Sequence, residues 1–301
     1  MRKGFSMEYR FRTRKATLLD YSSIANLSRR AVGPNDYVLG ILKQTIKAGG
    51  LFIALDGQRV IGMANYQELA DRSGWLSMAR TDPDYRGKRV AGLLQEAIAR
   101  YGRSRGVEVL RMLINSSNTP SINSARRGGF KPATEVAHVT CSLRRGSRDR
   151  RDEINFQSRP CVQLSELSKS EDTKIAKSGY LRKMNGFFGR GWHVEKWAQK
   201  SVVEMIISGG EAYRSQGSIF ILGSPPEEVE NLHGEFAVLT GTFGDSVKAV
   251  KQVATSSLRL RSIGTFLPFD PYLIRVAKTE HGFHVDPWAD HGFIFEKWIS
   301  R

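Results

Sequence analysis

The sequence lacks the features that would place it in an oxidising compartment or in a membrane. Only two cysteines, Cys141 and Cys161, occur in 301 residues, so a disulfide framework is excluded. No apolar run approaches the roughly 18 residues that a membrane-spanning helix needs. The basic N-terminus has no apolar stretch behind it, which argues against a secretory signal. We therefore expect a soluble, cytoplasmic protein that does not associate with membranes.

Several nucleotide-binding and catalytic motifs are also missing. The sequence contains neither the Gly-x-x-x-x-Gly-Lys-Ser/Thr loop of the P-loop proteins nor the Gly-x-Gly-x-x-Gly fingerprint of dinucleotide-binding folds. It has no Gly-x-Ser-x-Gly elbow, which argues against Ser-His-Asp hydrolysis. Any phosphate-bearing ligand must therefore be held by a different kind of loop.

Positive charge is concentrated in the first half of the chain. Residues 1–150 hold 27 Lys and Arg against 12 Asp and Glu, whereas residues 151–301 hold 19 against 18. Such an excess attracts anions, so a phosphorylated cofactor, a nucleic acid and an acidic protein surface are all candidate partners. No zinc-finger or RNA-binding signature accompanies the charge. A nucleic-acid or ribosome-associated protein is therefore an alternative, but not the favoured one.

Apolar periodicity predicts that one series of elements occurs twice. The first half predicts a strand near 9–14, helices from Asp20 and Asp36, a hairpin at 51–63, a strand at 75–80, a helix from Val90, a strand at 107–114, a short helix from Pro120 and a strand at 136–143. The second half predicts a helix at 194–208, a hairpin at 211–222, a strand at 235–240, a helix capped by Asp245, a strand at 258–266, a short helix from Asp270 and a strand at 292–298. We interpret the series as duplication of a whole domain, with one domain at 8–143, a highly charged linker at 144–159 and a second domain at 160–301.

The strongest local feature is the segment from Leu76 to Leu94, in which a strand, a basic loop and a helix follow one another. The start of a helix presents unpaired backbone N–H groups and a partial positive charge. Gly87 lets a phosphate approach the backbone closely, and Arg86, Lys88 and Arg89 add formal charge. The segment therefore predicts a pyrophosphate site at the start of the helix.

This loop resembles that of the GNAT superfamily of acyl-CoA-dependent N-acetyltransferases, which reads Arg/Gln-x-x-Gly-x-Gly/Ala. Here it reads Arg86-Gly87-Lys88-Arg89-Val90-Ala91. A second family signature has an Asn, a small residue, a Tyr and then Gly-Phe, and its places hold Asn118, Ser121, Ala125 and Gly129-Phe130. The resemblance covers about residues 8–143. It implies an α/β (α+β mixed sheet) fold of two tandem GNAT-like domains, each a mostly antiparallel twisted sheet flanked by helices.

The resemblance implies an enzyme that moves an acetyl group from acetyl-CoA to a small-molecule or peptide amine, with no metal. The amine would attack directly, without a covalent enzyme intermediate. Backbone groups of the fourth strand would hold the pantetheine arm, the loop would hold the pyrophosphate, and the Asn segment would bind further along the cofactor. The implied cofactor-binding residues are Ala79, Arg80, Thr81, Arg86, Gly87, Lys88, Arg89, Val90, Ala91, Asn118 and Ser121.

The sequence departs from the family pattern at three places. Arg89 stands where the family has a second glycine, Ala125 stands where it often has the Tyr that protonates the leaving thiolate, and Leu113 stands where some members have a Glu base. The catalytic residues are therefore unknown. Polar residues between the third and fourth strands are the candidates for a replacement base, namely Tyr66, Glu68 and Asp71. A catalytically inactive module that binds CoA is the alternative that these departures leave open.

The second half contains no basic loop. Thr242-Phe243-Gly244-Asp245 occupies the equivalent place, so we expect a degenerate copy that does not hold CoA. A group of metal-ligand residue types also occurs there, but the repeat already accounts for its surroundings, and no metal site is predicted; the group is His281, His284, Asp286, Asp290 and His291.

Overall fold

The computed structural model describes residues 11–143, 161–197, 200–215, 217–223, 232–256 and 258–300. The chain divides into two compact units whose segments alternate along the sequence. Of the described residues, those in 11–113, 118–131 and 295–300 belong to unit 1, and those in 114–117 and between 132 and 294 belong to unit 2. The predicted linker, 144–159, lies outside the described residues, and the domain boundaries at 8–143 and 160–301 stay a prediction about the repeat.

Unit 1 is built on a mixed sheet in which β1 to β5 follow one another in chain order. Its elements are β1 (Arg12–Lys15), α1 (Tyr21–Ala31), α2 (Val38–Lys47), β2 (Leu51–Asp56), β3 (Arg59–Glu68), β4 (Ser73–Thr81), α3 (Val90–Ser104), β5 (Val109–Asn115) and α4 (Thr119–Arg127). Neighbouring strands are antiparallel from β1 to β4, whereas β4 and β5 run parallel because α3 connects them.

Apolar stripes on the helices hold them against this sheet. Ile24 and Leu27 of α1 and Leu42 of α2 are buried in one core with residues of β2 and β3. The predicted stripe of α3 is confirmed, since Val90, Leu93, Leu94, Ala97 and Ile98 are all buried. Burying a valine, leucine or isoleucine side chain contributes roughly 1.5–3 kcal/mol, so this stripe holds α3 against the sheet.

The last residues of the chain also belong to unit 1. Ile299 is 3% exposed, and its backbone N–H donates to the carbonyl of Glu108 at 2.8 Å. Next to them, Glu296 forms an ion pair with Arg111 of β5 at 2.7 Å. Unit 1 is therefore completed by a strand that lies more than 180 residues away in the sequence.

Unit 2 repeats the same plan. Its sheet has the order β6-β13-β12-β11-β10-β7, and the β12–β13 pair is parallel. Its elements are β6 (Lys131–Ser142), β7 (Val162–Gln163), α5 (Lys169–Ala176), α6 (Gly179–Lys183), β8 (Phe187–Arg190), β9 (His193–Lys196), α7 (Lys200–Ser208), β10 (Ala212–Ser215), β11 (Ser218–Gly223), β12 (His233–Thr240), α8 (Phe243–Ser256), β13 (Ser262–Pro268), α9 (Pro271–His281) and β14 (His284–Val285). The final strand, β15 (Gly292–Trp298), is divided between the two units.

The core of unit 2 packs α8 against its sheet. Val247, Val250 and Val253 of α8 meet Phe236 and Val238 of β12 in one buried cluster. The predicted mixed α/β fold, with helices flanking a large mixed sheet, is confirmed. No helix in the described ranges is both long and apolar enough to cross a membrane.

Two local predictions were wrong and a third was right only in part. The helix predicted from 194 begins at Lys200, because His193–Lys196 forms a hairpin strand with β8 around Gly191, whose φ is +62°. Asp20 stands at the predicted N-cap of α1, but its carboxylate accepts hydrogen bonds from Arg14 at 2.7 Å and none from the first turn of α1. Asp245 is not the cap of α8, because Thr242 accepts its backbone N–H at 3.1 Å.

Candidate functional site

The two parallel strands of unit 1, β4 and β5, form a ladder at one end only. β4 and β5 match at three positions, from Ser73 opposite Val109 to Trp75 opposite Arg111. β4 continues to Thr81 and β5 to Asn115, yet no β4–β5 pair beyond Trp75 occurs in the part of the chain that the structure describes. The edge of β4 from 76 to 81 can therefore accept an extended ligand, as an added strand would.

A β-bulge shapes this part of β4. Ser77 lies opposite Asn65 and Arg80 opposite Met63, so two residues of β4 face one residue of β3. Met78 has a φ of +56°, and its side chain is 6% exposed in the core with α1 and α2. Bulges of this kind bend a strand and redirect its side chains, often beside active sites. Here the bulge leaves Ala79 exposed and Arg80 and Thr81 half-buried.

The loop that follows β4 leads into the open start of α3. Gly87 has a φ of +78°, and a Cβ placed on it would have no atom within 4 Å. Arg89 has a φ of +62° and stands at the N-cap, but its side chain makes no cap hydrogen bond. Val90 and Ala91 open α3, so their N–H groups have no carbonyl one turn earlier in the helix to bond. The helix start is therefore open toward an anion.

The charges around this loop leave it positive. The two acids of the loop are paired, because Arg30 and Arg59 each donate to Asp82 and to Asp84 at 2.8–3.2 Å. Arg86 is exposed and donates to the carbonyl of Ala31 at 3.0 Å. The loop also carries two further exposed cations, Lys88 and Arg89.

The second predicted segment forms the start of α4. The side-chain oxygen of Asn118 accepts the backbone N–H of Ser121 at 3.2 Å, so Asn118 is the N-cap. Ala125 is fully buried in α4 and presents no polar group. Leu113 is half-buried on β5. These positions supply neither the tyrosine nor the glutamate of the family pattern.

The three candidates for a base have unfavourable surroundings. Burial raises the pKa of Tyr66 to about 12, and within the described residues its hydroxyl has no hydrogen-bond partner. Glu68 lies 3.5 Å from Arg105 in an exposed ion pair. Asp71 is buried and forms an ion pair with Arg111. The two acids are therefore both in ion pairs, and the tyrosine stays protonated near neutral pH, so none of the three is a ready base.

Sequence reasoning missed an ion pair beside the edge of β4. Arg80 donates to both carboxylate oxygens of Asp36, at 2.8 and 2.9 Å, and Ser28 donates to the same carboxylate at 2.5 Å. Burial opposes ionisation of Asp36, but these hydrogen bonds outweigh it and lower its pKa. The pair fixes the start of α2, and with it Tyr37, whose ring lies 5.5 Å from the Arg80 guanidinium. Asp36 and Arg80 are 44 residues apart, so no local sequence pattern predicts their ion pair.

The equivalent place in unit 2 is closed by its own side chains. Thr242 accepts the N–H of Asp245 and donates to its carboxylate at 2.7 Å, which satisfies the start of α8. A Cβ on Gly244 would lie 3.2 Å from the imidazole of His281. On β13, the Tyr180 hydroxyl donates to the carbonyl of Phe266 at 2.5 Å.

The metal-ligand residue types near the C-terminus do not converge. Searched within the described ranges, unit 2 contains no group of three or more His, Cys, Asp or Glu placed to hold a metal ion. Two members bond residues outside the group instead: Asp290 accepts from Asn115 at 2.8 Å, and His291 bonds Glu135 at 2.8 Å.

Comparison with known proteins gives one family and one fold. The model of the acetyltransferase (GNAT) family matches residues 22–130. No curated protein matches the sequence. Among solved structures, the chain is similar to a GCN5-related N-acetyltransferase from Sphaerobacter thermophilus, with 12% identity, 97% of each chain covered and a TM-score of 0.58. It is also similar to a candidate acetyltransferase from Pyrococcus horikoshii, with 12% identity, 100% and 93% of the two chains covered and a TM-score of 0.56. Both likenesses extend over the whole chain and concern the fold.

Proposed function

We propose that the chain, whose residues 22–130 match the model of the acetyltransferase (GNAT) family, is an N-acetyltransferase that uses acetyl-CoA and acts on a small-molecule or peptide amine. Members of this family use acyl-CoA. The observation that carries the proposal is the open start of α3, where the space beside Gly87 is free and the surrounding charge is positive. The catalytic unit is unit 1.

Each predicted cofactor residue has a role in this proposal. Backbone groups from Ala79 to Thr81 bind the pantetheine arm along the edge of β4 that β5 leaves unpaired. The N–H groups of Gly87 to Ala91 and the side chains of Arg86, Lys88 and Arg89 bind the pyrophosphate. Asn118 and Ser121, at the start of α4, contact the cofactor further along. Acetyl-CoA would supply an activated thioester: the amine nitrogen would attack its carbonyl directly, the C–N bond of the amide would form as the C–S bond breaks, and the CoA thiolate would leave and take up a proton.

Proton transfer then falls to water or to the substrate itself. The place of the family tyrosine is the buried Ala125, and the pKa of Tyr66 is too high for it to act as a base near neutral pH. General acid–base help is typically worth ~10²–10⁴-fold, whereas positioning alone supplies about 7 kcal/mol or more. We therefore expect slow but measurable transfer.

Unit 2 does not hold CoA in this proposal. Its equivalent helix start is satisfied by Thr242, and the acid at its first turn repels phosphate. It contributes to the fold and supplies part of the final strand.

Calorimetric titration with acetyl-CoA tests the proposal. We compare the intact chain with Gly87→Asp and with a matched control, Gly106→Asp. Gly87 and Gly106 have φ values of +78° and +79°, and neither has an atom within 4 Å of its Cβ position. The backbone strain is therefore equal, and only Gly87→Asp places a carboxylate against the phosphates. We expect Gly87→Asp to bind at least about tenfold more weakly, a difference of 1.4 kcal/mol, and Gly106→Asp to bind normally.

Two outcomes would count against the proposal. Absence of acetyl-CoA binding by the intact chain removes it. Binding without loss of the thioester across a broad panel of amines supports instead a catalytically inactive CoA-binding module, which the absence of a tyrosine at Ala125 and of a glutamate at Leu113 favours.

A further inference from the structure

The carbonyl of Ala79 points toward the edge of β4 that β5 leaves unpaired. Arg80 lies opposite Met63 of β3, and two residues further on the N–H of Asp82 donates to the carbonyl of Ile61 at 2.9 Å. Residues two apart along a strand direct their backbone groups to the same side, so the N–H of Arg80 also points toward β3. The N–H and the carbonyl of a trans peptide point in opposite directions, and the carbonyl of Ala79 therefore points away from β3.

The side chain of Arg80 reaches back to this carbonyl. Its Nη1 donates to the oxygen of Ala79 at 3.0 Å. The other two nitrogens of the guanidinium, Nε and Nη2, donate to the carboxylate of Asp36 at 2.9 and 2.8 Å. A guanidinium is planar and rigid, so holding two of its nitrogens also fixes the third. A carbonyl oxygen has two lone pairs, so the bond from Arg80 orients the Ala79 carbonyl and leaves it able to accept from a ligand.

Asp36 holds the guanidinium in place from the start of α2. Its carboxylate also accepts from the hydroxyl of Ser28 at 2.5 Å and from the backbone N–H of Val38 at 3.3 Å. The side chains of Arg80 and Asp36 are 16% and 1% exposed. A buried side chain with this many bonds has little freedom left to lose when a ligand arrives. The position of the Ala79 carbonyl is therefore set before any ligand binds.

From these contacts we infer that the side chain of Arg80 is a positioning residue for the pantetheine arm of acetyl-CoA. The inference rests on the proposed function, in which backbone groups of β4 bind that arm. Arg80 acts through the carbonyl of Ala79 and need not touch the cofactor itself. In the same proposal the pyrophosphate binds at a separate place, residues 86–91. A change at position 80 should therefore affect the pantetheine half of the cofactor and spare the nucleotide half.

Arg80→Lys tests the inference on the full chain. Lysine keeps a positive charge beside Asp36, but a single ammonium group does not reproduce the planar fork that bonds Asp36 and Ala79 together. Calorimetry measures the binding of acetyl-CoA and of 3′-phospho-ADP, which is CoA without its pantetheine arm. We expect Arg80→Lys to bind acetyl-CoA between about twofold and tenfold more weakly, the effect of about one hydrogen bond, and to bind the nucleotide normally. Gly87→Asp, by contrast, should weaken the binding of both ligands.

Arg14→Lys is the matched control, because Arg14 makes the same kinds of hydrogen bond on β1. Its guanidinium donates to both carboxylate oxygens of Asp20 at 2.7 Å and to the carbonyl of the neighbouring Lys15 at 3.0 Å. We expect Arg14→Lys to bind acetyl-CoA and the nucleotide as the intact chain does. If Arg14→Lys weakens acetyl-CoA binding as much as Arg80→Lys, the inference is wrong.

A double variant, Arg80→Met with Asp36→Asn, covers the case in which lysine still reaches both partners. It removes the two charges together and so leaves no buried charge unpaired. We expect it to weaken acetyl-CoA binding at least as much as Arg80→Lys, again without an effect on the nucleotide. Normal acetyl-CoA binding by both Arg80 variants would overturn the inference. An equal loss for acetyl-CoA and the nucleotide would also overturn it, since a merely structural role acts on both. Absence of acetyl-CoA binding by the intact chain is a different result, which removes the proposed function and the inference with it.

Discussion

At the scale of single residues, the loop that we propose binds the cofactor, residues 86–91, depends on backbone conformations that favour glycine. Gly87 and Arg89 both have positive φ, at +78° and +62°. Glycine adopts this region without cost, whereas a residue with a Cβ loses roughly 1–2 kcal/mol there. Arg89 stands at the place of the family's second glycine, has a conformation that favours glycine, and adds a cation at the helix start. The sequence shows the substitution, but the left-handed conformation of Arg89 is visible only in the structure.

Arg89→Gly separates the strain at this position from the charge. We expect Arg89→Gly to raise the free energy of unfolding by about 0.5–1 kcal/mol, because it removes the strain at a smaller cost in unfolded-chain entropy. Both Arg89→Gly and Arg89→Ala should bind acetyl-CoA more weakly, since both remove a cation from the loop. Urea denaturation and calorimetry provide the two measurements.

The alanine variant is the control for this prediction. Arg89→Ala keeps the Cβ and hence the strain, so its stability should stay near that of the original chain. Equal stabilities for the glycine and alanine variants would show that position 89 is not strained. Unchanged acetyl-CoA binding in both would show that the Arg89 charge does not reach the ligand.

At the scale of elements, the end at which β4 and β5 are paired, residues 73–75 with 109–111, depends on the final strand. Arg111 stands at the last paired position of the two strands, and its side chain is 3% exposed. It forms ion pairs with Asp71, just before β4, and with Glu296 of β15. The C-terminal strand therefore helps to fix the point from which β4 and β5 separate.

Glu296→Ala tests this contribution. Breaking a buried ion pair typically costs about 3–5 kcal/mol. Because Asp71 still pairs with Arg111, we expect a smaller loss of about 2–3 kcal/mol in the free energy of unfolding, together with weaker acetyl-CoA binding. Glu296→Gln keeps a hydrogen-bond acceptor and should recover part of both losses. Thermal and urea denaturation measure the first, and calorimetry measures the second.

Glu68→Ala is the matched control in the same unit. Glu68 and Arg105 are 43% and 57% exposed, and exposed pairs contribute about 0–1 kcal/mol. If Glu296→Ala is no more destabilising than Glu68→Ala, the C-terminal strand has no positioning role.

The elements also show where sequence patterns suffice and where they fail. The stripe of α3 predicted its helix correctly, because a periodicity of 3.6 residues leaves little choice of structure. Residues 194–196 of β9 were misread as the start of a helix, because the turn at Gly191 pairs this segment with β8. Thr242 was missed although Thr-x-x-Asp is a recognisable capping pattern. The sequence could not predict that the end of the final strand belongs to unit 1, since strand pairing depends on contacts between distant residues.

At the scale of the whole molecule, unit 2 holds one buried group of charges with a histidine, although elsewhere in that unit an arginine, Arg190, pairs with Glu211 at 2.8 Å. Unit 1 uses arginines, including Arg80 with Asp36 and Arg111 with Asp71 and Glu296. A guanidinium stays charged throughout the range in which proteins fold, so these pairs do not titrate near neutral pH. Unit 2 places a histidine, His138, between Asp286 and Glu235. The stability of the chain should therefore depend on pH through unit 2.

The direction of that dependence follows from the proton on His138. The folded chain holds this proton up to about pH 9, whereas an unfolded histidine releases it near 6.5. The stabilisation is therefore complete below about pH 6.5 and is lost as the pH rises through about 9. We expect the free energy of unfolding, measured with urea, to fall across this interval in the original chain and to fall much less in His138→Gln. His284→Gln is the control, because that side chain is 65% exposed and the slope should persist. A free energy that stays constant from pH 6.5 to 9 in the original chain would show that His138 is not held protonated by its two carboxylates.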